Sequence, residues 1–80
     1  MNSTEFKPAP NAPAMIDLIV NGERRSSSAV TLADLLAEAG YGEAKVATAR
    51  NGDFVPERKR ASTPLADGDN IEVVSPRQGG

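Results

Sequence analysis

Two Asn-Gly dipeptides, Asn21-Gly22 and Asn51-Gly52, set the plan of this chain. Both residues of such a pair tolerate the positive φ that a two-residue hairpin turn demands. Each pair is flanked by strand-like sequence, so each predicts a tight antiparallel hairpin. Ahead of the first, Ile16, Leu18 and Val20 alternate with Asp17 and Ile19, which puts three apolar side chains on one face of a strand. The return run, Glu23 to Ser28, is polar enough for an edge strand whose charges discourage pairing with another molecule. The second dipeptide joins Val46-Ala47-Thr48-Ala49-Arg50 to Phe54-Val55, and Pro56, with no N–H to offer a ladder, ends that strand.

Between the hairpins the period changes. Thr31 with Asp34 three residues on approximates a capping box, Val30 and Leu35 stand at the spacing of a hydrophobic staple, and Leu32, Leu35, Leu36 and Ala39 form one apolar stripe. Gly40 suits the left-handed position after a helix, and Tyr41 can fold back on Leu36. The segment is a helix of about two turns, too short to persist unless its stripe is packed. Gly42 to Lys45 connect it to the second hairpin.

Beyond Pro56, Glu57-Arg58-Lys59-Arg60 is the one local basic cluster. Without interleaved aromatics it reads as solvated surface rather than a nucleic-acid contact, although such a patch can orient an acidic partner. Ser62-Thr63-Pro64-Leu65 crosses back, Asp67-Gly68-Asp69 turns, and Asn70 to Val74 alternate as a last strand. Adjacent antiparallel strands need only a tight turn, whereas parallel neighbours need a long crossover. The economical closure therefore sets the last strand beside the first in one mixed sheet, with the helix on one face. The expected class is α+β, a β-grasp (ubiquitin-like) domain over residues 15–75 with a flexible Gly-Gly tail at 76–80.

Composition narrows the chemistry. At 80 residues the chain is one small domain, burying only about 60% of the surface its unfolded form exposes. Apolar residues are 39% of the chain but aromatics only 4%, so Val, Ile, Leu and Ala must build the core, with Phe54 and Tyr41 as its only large rings. There is no Cys and no His, which removes disulfides, thiolate metal sites, a cysteine nucleophile and the commonest general base. A net charge of −2 argues against nucleic-acid binding across the surface, and no apolar run approaches the roughly 18 residues of a membrane span. A cytoplasmic protein without a bound cofactor is expected. Residues 1–14, with Pro8, Pro10 and Pro13, are expected to be a disordered extension, lacking the basic start and apolar stretch of a secretory signal.

The chemistry is then expected at Gly79-Gly80, on a short leash of Ser75-Pro76-Arg77-Gln78. Glycines without Cβ can lie in a channel too narrow for side chains. A free α-carboxyl, with a pKa of roughly 3.3–3.7, is an anion at neutral pH and a poor electrophile. To donate an acyl group it must be activated, usually as an acyl-adenylate made with ATP by a partner enzyme. The bland alternative is a frayed end with no role.

The run from Met15 to Gly80 resembles the ThiS family of sulfur carriers. The resemblance rests on Val20-Asn21-Gly22-Glu23, Thr31-Leu32-Ala33-Asp34-Leu35-Leu36, Val46-Ala47, Asn51-Gly52, Val55-Pro56, Leu65 through Val74, and Gln78-Gly79-Gly80, in that order. It implies adenylation of Gly80 by a ThiF-like enzyme that consumes ATP, with Gln78 and Gly79 recognised as the tail. It further implies conversion to a thiocarboxylate with sulfur from a donor such as a cysteine desulfurase system, and delivery to a ThiG-like thiazole synthase. The chain would be a carrier and co-substrate, not an enzyme. Pro76-Arg77 before Gln78, and the lack of an aromatic near Arg60, depart from the family pattern on the surface a partner would read.

The residues leave other readings open. A related carrier could serve molybdopterin or cysteine assembly, and a ubiquitin-like modifier would join its glycine to lysines. A non-catalytic binding module with an incidental Gly-Gly would need neither chemistry. Fold alone does not separate them.

Overall fold

A computed structural model of the chain describes residues 14–42 and 44–75. The expectations for the extension ahead of Ala14 and for the tail at 76–80 lie outside the described residues. Both Asn-Gly turns form: Asn21 and Asn51 take φ of 53° and 52°, and Gly22 and Gly52 take 85° and 88°. The first turn joins β1 (Ile16–Val20) to β2 (Glu23–Ser27) and the second joins β3 (Ala47–Arg50) to β4 (Asp53–Val55). β5 (Asn70–Val74) fills the gap between the hairpins, parallel to β1 and antiparallel to β3. The strand order is β2-β1-β5-β3-β4, so the last strand is the central one.

Strand parity decides which side chains meet the helix. Leu18 on β1, Thr48 on β3, Val55 on β4, and Ile71 and Val73 on β5 are buried, and their neighbours along each strand turn to the other face. α1 (Leu32–Glu38) lays Leu32, Leu35 and Leu36 into the same cluster, with Ile16, Val20, Tyr41, Val46 and Leu65 packed around it. The capping box is complete, as Asp34 N–H donates to Thr31 Oγ1 at 3.2 Å and Thr31 N–H donates to Asp34 Oδ2 at 3.1 Å. Past the helix, Gly40 at φ 92° lets its own N–H reach the Ala37 carbonyl and that of Tyr41 reach Leu36. This closes a Schellman end. The mixed sheet with one covering helix is the expected β-grasp arrangement.

Three local expectations need correction. Val30 is 68% exposed while Leu35 is buried, so the staple is not closed. The Val30 carbonyl instead accepts the Leu65 N–H, tying the crossover to the start of the helix. Phe54 is also 68% exposed and does not join the core. In a three-residue strand whose Val55 points inward, its neighbour must point away. Finally, Arg60 is half-buried rather than solvated, while Glu57, Arg58 and Lys59 are exposed as expected, and the run forms a 3-10 helix over Glu57–Ser62. It is capped at Thr63, whose N–H donates to the Arg60 carbonyl and whose hydroxyl donates to the Lys59 carbonyl.

Candidate functional site

Gly80, Gly79 and Gln78, the residues to which the sequence assigns the chemistry, lie outside the described residues. The structure defines instead the base they leave from, because β5 carries the chain to Ser75. Along β5 the support is unequal on its two sides. On the β3 side the ladder runs from Arg50↔Ile71 to Ala47↔Val74. On the β1 side pairing covers only Ile19↔Asn70 and Val20↔Ile71, because the chain then turns at Asn21-Gly22. Asn21 continues that edge alone: its N–H donates to the Ile71 carbonyl at 2.9 Å, and its side-chain Oδ1 accepts the Val73 N–H at 2.8 Å.

β3 is held in turn at its free end. β4 stops at Val55, opposite Thr48, because Pro56 follows. Arg60 reaches over from the 3-10 helix, donating from Nη2 to the Val46 carbonyl at 2.6 Å and from Nε to Thr48 Oγ1 at 3.1 Å. The Thr48 hydroxyl donates onward to the Val55 carbonyl at 2.8 Å. Sequence reasoning placed Arg60 in a solvated cluster. The only signal for its role was Pro56, which cuts β4 short and leaves the start of β3 in need of a donor. Arg60 shares a shallow cleft with Lys45, Val46, Ala47 and Glu57, and Ala47 is the ladder partner of Val74. This cleft thus flanks the base of the tail.

At the opposite end of β5, Asp69 is buried and its carboxylate collects three donors: Arg50 Nε at 2.8 Å, Asn51 Nδ2 at 3.0 Å and the Ala66 N–H at 2.8 Å. Burial alone would raise its pKa. The hydrogen bonds from Asn51, Arg50 and Ala66, together with the Arg50 charge, outweigh burial and hold the carboxyl below its ordinary value. Asn51 Oδ1 also accepts the Asn70 N–H at 2.9 Å. The turn before β5 is therefore locked to the second hairpin.

The face of the sheet away from the helix is partly apolar. The register sets Ala49 between Phe54 and Glu72 and places Ala47 beside the exposed Val74, with exposed Ile19 on β1. Among the described residues no cluster of acidic, His or Cys side chains is placed to hold a metal ion, and no helix is long and apolar enough to cross a membrane. What the fold offers chemistry is a rigid sheet with its central strand aimed at the exit.

Comparison with known families decides the affiliation. The ThiS family model matches residues 18–80, from the first strand through the terminal glycines. The chain belongs to the ThiS family. Among solved structures, this ThiS-family chain is similar to a thiamine biosynthesis protein (ThiS) from Geobacter metallireducens. The two share 25% identity and a TM-score of 0.70, over 81% of this chain and 100% of that one. It is also 42% identical over 59 residues to a thiazole synthase from Paramagnetospirillum magneticum. That match covers 72% of the ThiS-family chain but only 18% of the synthase, so the chain spans under a fifth of that relative's length.

Proposed function

We propose that the chain is the sulfur carrier of thiazole formation in thiamine biosynthesis, with Gly80 as the acyl group and Gln78-Gly79 as the part of the tail a partner reads. The observation that carries this is the thiazole synthase holding within its own length a segment 42% identical to this chain. A carrier-like segment in one polypeptide with a thiazole-forming activity supports thiazole as the destination of the sulfur. The family match extending through Gly80 supports the tail as its vehicle.

On this reading residues 15–75 are the handle and 76–80 the leash. A ThiF-like enzyme joins the Gly80 carboxylate oxygen to the α-phosphorus of ATP, and pyrophosphate leaves. The terminal sulfur of a persulfide, supplied by a donor such as a cysteine desulfurase system, then attacks the carbonyl carbon and AMP departs, and a thiol cleaves the resulting acyl disulfide, leaving its own sulfur in a disulfide with the donor. The product is a thiocarboxylate, a nucleophilic sulfur that a ThiG-like synthase takes up without free sulfide. The chain contributes recognition and reach, and the partners contribute catalysis, in the cytoplasm where ATP and the donor are found. With neither Cys nor His the chain has no persuasive nucleophile or base of its own.

Intact-protein mass spectrometry tests it. Incubated with a ThiF-like enzyme, ATP and a sulfur donor, the protein ending at Gly80 gains the mass of one oxygen replaced by sulfur, localised to Gly80. An isopeptide bond to lysine would instead identify a protein modifier. Absence of any acyl-adenylate with such an enzyme from the same source would end the carrier reading.

A further inference from the structure

The Asn21 side chain sits where its hairpin has no use for it. A type I′ turn needs Asn21 and Gly22 to accept positive φ, and Gly at position 21 would meet that need equally well. Yet the carboxamide leaves its own hairpin and accepts the N–H of Val73, 52 residues further along the chain. Val73 is buried, and β1 offers no backbone partner beyond Ile71, so Asn21 supplies the acceptor this amide would otherwise lack. On the other side of β5 the ladder ends at Ala47↔Val74, on the strand end that Arg60 holds. The last two residues before Ser75 are thus held by one ladder and one side chain.

We infer that Asn21 is a positioning residue for the tail: it fixes the direction in which the chain leaves the sheet at Ser75. The inference rests on the carrier reading for its consequence. A tail that must thread a partner's narrow channel binds better when its root is already oriented, because less conformational freedom is lost on docking. Loosening the root should therefore weaken engagement with the adenylating partner, not the chemical step that follows.

The second hairpin supplies a matched control. Asn51 occupies the same turn position at nearly the same φ, and its side chain also reaches β5, but at Asn70 and Asp69, the end remote from Ser75. Both turns tolerate glycine, so Asn21→Gly and Asn51→Gly each remove one carboxamide and leave the hairpin able to form. Amide hydrogen exchange on the full chain should show Val73 and Val74 exchanging roughly fivefold faster in Asn21→Gly, the effect of one neutral hydrogen bond. In Asn51→Gly those amides should keep their wild-type rates relative to the rest of the sheet.

With a ThiF-like enzyme, Asn21→Gly should raise KM for the carrier by a similar factor with kcat unchanged, while Asn51→Gly leaves both as they are. Asn21→Asp, which keeps an oxygen at the same place and tolerates the turn, should restore both readouts. Equal exchange at Val73 and Val74 in the two glycine variants, or a KM shift common to both, would overturn the inference. If the wild-type protein is not adenylated at all, the carrier reading fails, and the exchange comparison alone still decides whether Asn21 holds the root.

Discussion

Arg50 Nε lies 2.8 Å from Asp69 Oδ2, so the last residue of β3 and the residue before β5 form an ion pair whose acidic member is buried. With Asn51 and the Ala66 amide also donating, the carboxylate binds the turn before β5 to the second hairpin. Replacing Asp69 with Ala leaves those donors facing one another and should cost on the order of 2–3 kcal/mol in denaturant melts.

The same group makes stability depend on acid. Its carboxyl is held below the ordinary range in the folded chain, so the unfolded chain takes up a proton first as pH falls. The stabilisation is complete above the unfolded value of about 3.9 and is lost as pH drops through it toward the lower folded value. Melts taken across this range should show stability falling further with acid in the wild type than in Asp69→Asn, which is less stable at neutral pH but has no carboxyl to protonate. Equal falls in both proteins would assign the acid sensitivity to another group.

Arg60 should separate from its neighbours in sequence. Arg60→Ala removes two hydrogen bonds from a charged donor that is half-buried, and should destabilise by about 1.5–3 kcal/mol. Arg58, exposed on the same short helix, should stay within about 0.5 kcal/mol of wild type when changed to Ala. Equal losses in the two variants would mean that the hold on Val46 contributes nothing to the fold.

Legibility in the sequence followed distance along the chain. The hairpins, the Thr31–Asp34 box and the Gly40 cap are settled within a few residues, where turn chemistry and helical spacing act, and all were readable. The pairing of the last strand with the first was readable too, because short turns and one long crossover leave few ways to close the sheet. Hidden were the side chains that act across the fold: Asn21 on Val73, Arg60 on Val46, Asn51 and Arg50 on Asp69. Each residue looked sufficient for a local role, as turn former or surface charge, and nothing local reports a second one. Phe54 misled for a related reason, since size and hydrophobicity suggest burial whereas parity in a three-residue strand decides it.

Helix α1 offers two changes of unequal weight. Thr31→Ala removes one half of the capping box and should cost on the order of 1 kcal/mol. Leu35→Ala empties a site that is 1% exposed and should cost on the order of 2–5 kcal/mol. Urea melts in which the two proved equal would place the Leu35 side chain outside the core.

Phe54→Ala is expected to shift stability by no more than about 0.5 kcal/mol, because the ring already stands in solvent. Thermal melts of the isolated protein decide this, and a loss comparable to that of Leu35→Ala would show the ring to be packed.

β1 and β5 run parallel at the centre of the sheet, so the chain enters β1 at one pole of the molecule and passes Ser75 at the other. Ala14, where the described chain begins, therefore lies toward the pole that faces away from Ser75. Held at that pole, the molecule keeps its Ser75 end free to engage.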